Sequence, residues 1–273
     1  MHIAISIVTV DWQDLLIALM SDRGYEGFEQ EDSLLKAFIP EEHFDREWLE
    51  ELLAAHGLNY TLERIEERNW NAEWERNFQP VVVETFCAIR AHFHEPISGV
   101  EHELVITPKM SFGTGHHATT YMMLRSMQGM DMRGKRVLDF GTGTGVLAIL
   151  AKRLGAKEVV AIDNDDWSIA NAKENVAVNG CEEVVVLKMD RVAALEGVFD
   201  IILANINKHV IVDQLGDLVQ QLAQGGVIIL SGLLQDDAED IENEAIKNNL
   251  SVSNWMTKGS WICLKTGKKD TGN

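Results

Sequence analysis

The sequence predicts an α/β protein: a doubly wound, mostly parallel sheet of seven strands, preceded by a small α+β domain. Three observations predict it. From Arg136 onward, short apolar strands alternate strictly with segments of helical length, a pattern that calls for parallel strands joined by crossover helices. The stretch Val137-Leu-Asp-Phe-Gly-Thr-Gly-Thr-Gly-Val146 passes from an apolar strand through an acidic residue into three alternating glycines that open a helix. Residues 1–62 show their own succession of strand and helix periods, as a separate unit would.

In that first unit Ile3, Ile5 and Ile7 alternate as a strand. Asp11 is a candidate cap for a helix with Leu15, Leu16, Leu19 and Met20 on its apolar face, closed by Gly24. Strand-like pieces follow at Tyr25–Gln30 and Leu34–Ile39. A second helix runs through Phe44, Trp48, Leu52 and Leu53 to Gly57, and Asn59–Ile65 alternates again. The order βαββαβ predicts a ferredoxin-like fold. A charged stretch, Glu63–Arg76, carries Trp70 and Trp74 and reads as a helical linker over 63–76. Residues 77–273 then form the second domain. Its strands begin at Val81–Val83, Phe86–Ala91 and Glu103–Ile106, followed by a Gly-rich segment and a helix through Met123, Leu124 and Met127. The alternating strands are Arg136–Asp139, Glu158–Asp163, Val184–Lys188, Phe199–Ala204, Val227–Ser231, Leu250–Trp255 and Trp261–Leu264. Helices fill Val146–Leu154, Trp167–Asn179, Lys208–Leu222 and Asp236–Asn248. No helix separates the last two strands, so they are expected to form an edge hairpin.

Composition narrows the function. In 273 residues, 46% hydrophobic and 25% charged is ordinary for a soluble globular chain. No run approaches the roughly 20 apolar residues of a membrane span, and the first residues lack a basic, signal-like region. Cys87, Cys181 and Cys263 are far apart, with neither a disulfide framework nor a zinc spacing. A reduced, cytoplasmic setting is expected. The net charge of −19 disfavours nucleic acid, whose phosphates demand clustered cations; it either serves solubility alone, the reading that charge by itself favours, or promotes encounter with a basic macromolecule. Nothing indicates an obligate oligomer.

In open parallel sheets, ligands sit beyond the carboxyl ends of the strands. The turn after Asp139, the acid Asp163 and Asn205 all fall at such ends. Glycines at 141, 143 and 145 let backbone approach a ligand, and the helix behind them begins with unsatisfied N–H groups. A dinucleotide site would want G-x-G-x-x-G with pyrophosphate on the helix N-terminus. Here the third glycine comes one place early, and Asp139 would oppose a pyrophosphate while attracting an ammonium. S-adenosylmethionine has no phosphate and carries both an ammonium and a sulfonium. Asp163 suits the ribose hydroxyls, leaving Asp165 or Asp166 to cap the next helix. Asp190 is a candidate for the adenine amino group.

With these residues in hand, the second domain looks like a class I methyltransferase, and the whole chain resembles the ribosomal protein L11 methyltransferases. Three motifs carry the resemblance. Phe112-Gly-Thr-Gly-His-His-Ala-Thr-Thr120 is similar to the family's FGTGTHPTT segment, Val137–Ala148 to its cofactor loop, and Asp200-Ile-Ile-Leu-Ala-Asn-Ile206 to its D-x-x-x-A-N-I strand end. The resemblance implies that Thr120, Gly141, Asp163 and Asn205 contact the cofactor. It implies that the N-terminal domain recognises L11, and that lysine ε-amino groups and the α-amino group are methylated. His116 and Ala118 depart from the family's Thr and Pro, which predicts altered loop stiffness with activity retained.

Transfer of a methyl from a sulfonium to an amine needs alignment and a neutral nucleophile. An enclosed pocket would lower the amine's pKa from about 10.4, because burial disfavours the charged form. Asn205 offers a carbonyl to orient the amine, with backbone carbonyls near Ile206 and with Asn207 as possible partners. His116 and His117 have no matching ligand cluster, so no metal is expected; His117 would shape the amine pocket or simply pack. Competing readings are an NAD(P)-dependent oxidoreductase, a ribosome-binding protein without transferase activity, and a methyltransferase acting on another basic protein.

Overall fold

A computed structural model describes residues 2–65, 79–107, 113, 115 and 117–268. The chain separates into two compact units, Met1–Phe78 and Gln79–Asn273. In the first, the order is β1 (His2–Val8), α1 (Gln13–Ser21), β2 (Gly27–Glu31), β3 (Leu34–Pro40), α2 (Arg46–Ala54) and β4 (Tyr60–Ile65). The strands form one antiparallel sheet in the order β2-β3-β1-β4, the ferredoxin-like arrangement. Ile3, Ile5 and Ile7 point to one side, where they pack with Leu16 and Met20 of α1 and Leu49 and Leu53 of α2.

Three details of this unit differ from expectation. Asp11 does not cap α1: the capping position is Trp12, which offers no side-chain oxygen. Asp45 caps α2 instead, its Oδ1 accepting from Trp48 N at 3.1 Å, so Phe44 lies outside the helix. At Glu63–Ile65, where the strand reading Asn59–Ile65 and the linker reading 63–76 overlap, the strand holds and the linker start does not: their backbone pairs with β1 as part of β4. The remainder of that linker, with Trp70 and Trp74, lies outside the described residues.

The second unit opens with a three-stranded sheet of β5 (Val81–Val83), β6 (Cys87–Arg90) and β7 (His102–Val105). Then come α3 (Ala118–Met127), β8 (Arg136–Phe140), α4 (Val146–Arg153), β9 (Glu158–Asp163), α5 (Asp166–Val178) and β10 (Val185–Lys188). The chain continues through β11 (Phe199–Asn205), α6 (Lys208–Gln220), β12 (Leu222–Leu234), α7 (Ala238–Lys247), β13 (Leu250–Lys258) and β14 (Trp261–Lys268). The sheet order is β10-β9-β8-β11-β12-β14-β13, seven strands in all. β8 to β12 are parallel; β14 runs antiparallel to both β12 and β13, so the last hairpin forms the edge.

Both faces of this sheet are covered, and neighbouring residues on one strand enter different cores. Val137, Val159 and Ile201 pack on the face that carries α4 and the small sheet, with Phe86, Leu104 and Leu147. Leu138, Val160 and Ile202 pack on the other, with Leu215 and Leu218 of α6 and Ile241 of α7. Continuous apolar strands are therefore a consequence of two-sided burial. The order reverses between β8 and β11, which leaves a crevice beyond their carboxyl ends.

Candidate active site

Just beyond β8, the backbone N–H groups of Gly141 and Thr142 both reach the carbonyl of Ile162, at 2.9 and 3.0 Å, which folds the turn toward β9. Gly141 has a φ of 73°, and a Cβ there would lie 2.1 Å from Ile206 Cγ2. Only glycine meets both demands. The turn is thus pressed against the residue that follows Asn205.

Two acids hold it. Asp163, at the end of β9, accepts from Gly143 N through Oδ2 at 2.9 Å and from Asp165 N through Oδ1 at 3.1 Å. Helix capping falls to Asp165, whose Oδ2 accepts from Ser168 N at 2.8 Å. Asp139 is fully buried: Oδ2 accepts from Thr142 Oγ1 at 2.6 Å and Ala148 N at 3.1 Å, while Oδ1 has no partner. Burial pushes its pKa up to about 7; the two hydrogen bonds oppose that rise, and the charge of Asp163 adds to it.

Outside this turn lies a cavity of about 540 Å³ at the carboxyl ends of the parallel strands. Gly141, Gly143, Asp163, Asp190 and Asn205 line it together, although they come from four separate strand ends. Asn205 is only 8% exposed; its Nδ2 donates to Thr120 Oγ1 at 3.4 Å, and its Oδ1 is buried without a partner. Thr120 and Asp139 sit behind the wall, not on it. Asp190 uses its backbone carbonyl to accept from Gln214 Nε2, which fixes the loop after β10. Among the described residues no group of three His, Cys, Asp or Glu side chains is placed to hold a metal ion.

Sequence reading missed part of the lining. Trp261 enters from the start of β14, its ring 4.5 Å from that of His117 in an edge-on contact, and His117 caps α3. His209 and Val210 come from the first turn of α6, and Gly232 from a bulge in β12. Only Gly232 left a signal, a glycine inside an apolar strand. Phe112 and His116 lie outside the described residues.

An open sheet of this order, with an acidic glycine turn and a cavity at its switch point, defines a class I methyltransferase. A family model described as Ribosomal protein L11 methyltransferase (PrmA) matches residues 6–269. The chain belongs to that family, and its methyl donor is S-adenosylmethionine. A ribosomal protein L11 methyltransferase of Porphyromonas gingivalis is 40% identical over 259 residues, covering 92% of this chain and 89% of that one. Its counterpart from Chlorobaculum parvum is 39% identical over 249 residues, 86% of each chain. The crystal structure of a ribosomal protein L11 methylase from Lactobacillus delbrueckii subsp. bulgaricus superposes with a TM-score of 0.66 at 30% identity, covering 70% of this chain and 100% of that one.

Proposed function

We propose that this enzyme methylates ribosomal protein L11, at lysine ε-amino groups and at the N-terminal α-amino group. The observation that carries this reading is Asn205: a buried amide oxygen without a partner, on the wall of the cavity that the glycine turn borders. An unsatisfied buried acceptor costs about 1–3 kcal/mol unless a ligand supplies the donor. A substrate amine has N–H groups to give.

The residues fit the donor. Asp139 braces the turn from behind through Thr142 and Ala148, and its negative form there suits a cationic ammonium better than a phosphate. Asp163 spends one lone pair of each oxygen on backbone N–H groups and keeps capacity for a ribose diol. Asp190 suits an adenine amino group, Gly141 and Gly143 admit close approach, and Thr120 holds Asn205 in place. When bound, S-adenosylmethionine supplies an electrophilic methyl on a sulfonium. Asn205 Oδ1 and the backbone carbonyl of Ile206 orient the incoming amine, while Trp261, Ile206 and Val210 exclude water and so favour its neutral form. The third glycine, one place early for G-x-G-x-x-G, speaks against a pyrophosphate, hence against NAD.

Residues 1–65 recognise L11 in this reading, 66–76 link, and 77–273 catalyse; the enzyme works in the cytoplasm as a monomer. No helix among the described residues is long and apolar enough to cross a membrane. Mass spectrometry of unmodified L11 incubated with the enzyme and donor tests the proposal. Mass gains in steps of one methyl on lysines and the α-amine are expected; unmodified L11 from an enzyme that binds the donor would overturn it.

A further inference from the structure

Helix α5 carries Asn171 and Asn175 one turn apart on one face, and its C-cap Asn179 follows a turn later; all three are buried. Buried amides destabilise a helix unless they replace backbone partners missing elsewhere. Asn179 serves β7 alone among the strands: it accepts from Val105 N at 3.0 Å and donates to Val105 O at 2.7 Å. Asn175 reaches further. Its Oδ1 accepts from Thr107 N at 2.8 Å, and its Nδ2 donates to the carbonyl of Thr144, inside the glycine turn, at 2.8 Å. Thr144 Oγ1 in turn donates to the carbonyl of Gly113 at 2.8 Å. The same helix face presses on the turn at Ala172, where a Cβ on Gly145 would come within 3.3 Å.

We propose that Asn175 is a positioning residue for donor binding. Asp163 fixes the N–H of Gly143 from the cavity side, and Asn175 fixes the carbonyl of the next residue from behind. The peptide groups on either side of the Gly143–Thr144 peptide are thereby held in place. Through Thr144 the same amide steadies Gly113, in the segment that leads to His117 and Thr120. The role demands a donor and an acceptor on one short side chain, which asparagine supplies and aspartate or leucine does not. The proposal rests on the glycine turn being the seat of the donor.

Calorimetry with S-adenosylmethionine on the full-length wild type, Asn175→Ala and Asn179→Ala, well below their melting temperatures, tests it. Both variants lose buried hydrogen bonds and are expected to melt earlier. Only Asn175→Ala is expected to bind the donor about tenfold more weakly, with Asn179→Ala matching the wild type. Equal affinity in the two variants overturns the proposal. Should Asn175→Ala fail to fold, Asn175→Asp keeps the acceptor for Thr107 and loses the donor to Thr144; wild-type affinity in that variant also overturns it. A wild type that does not bind the donor would instead sink the assignment of the turn.

Discussion

The two oxygens of Asp139 live in different surroundings, one doubly hydrogen-bonded and one bare, both sealed from solvent. Burial raises its pKa from 3.8 to about 7. Between those values the folded chain retains a proton that the unfolded chain has released. Without donor, stability therefore falls as pH rises through this window and levels off above it. The penalty is on the order of 4 kcal/mol. Asp139→Asn keeps an acceptor for Thr142 and Ala148 and removes the charge, so its melting temperature should overtake that of the wild type as pH climbs from about 5 to about 8. Donor affinity should drop in the same variant. Parallel melting curves across that range would show that another group sets the pH dependence. Gly232 makes a second case. With a φ of 86°, a Cβ there would lie 2.2 Å from the carbonyl oxygen of Ile206 and 3.0 Å from its nitrogen. Those are backbone atoms, so Gly232→Ala must displace the segment bearing Asn205. A fall in kcat of roughly ten- to a hundredfold, with donor affinity less affected, is expected from methylation kinetics.

At the scale of elements, the start of α5 gives two neighbouring acids different work, with Asp165 as the cap that the sequence left open between it and Asp166. Asp163→Ala removes the acceptor for Gly143 N and should cost roughly 1.5–3 kcal/mol of donor affinity by calorimetry. Asp165→Ala removes the helix cap, so it should lower the melting temperature while leaving donor affinity alone. If both variants bind the donor equally, the ribose is misplaced. The strands β8, β9 and β11 were legible because burial on both faces makes their central residues apolar; the ends of β9 and β11 located Asp163 and Asn205 beside the glycine turn, and the end of β10 located Asp190. β12 was read short. It starts at Leu222, and Ala223–Gly226 have no apolar period to reveal strand pairing. Trp261 and His209 escaped for a different reason: each reaches the cavity only because β14 inserts between β12 and β13, or because α6 begins at the switch point. Local pattern carries no trace of such placement. The start of α1 failed through local chemistry, since an acid one residue too early cannot reach the free N–H groups.

For the whole molecule, the net charge of −19 makes a specific prediction about how it meets a basic partner. If L11 is met through its basic groups, it would be drawn in over distances comparable to the screening length, about 8 Å at physiological ionic strength and about 3 Å at 1 M. The donor, by contrast, meets fixed groups at hydrogen-bonding distance inside a cavity of about 540 Å³, where salt penetrates little. The two substrates should therefore respond differently to ionic strength. Steady-state methylation of L11 at rising sodium chloride is expected to show a KM for L11 that climbs several-fold, mainly through slower association. Over the same range the Kd for S-adenosylmethionine and the kcat should hold nearly constant. A KM for L11 that ignores salt would mean that the acidic surface serves solubility alone, and that recognition rests on short-range contacts.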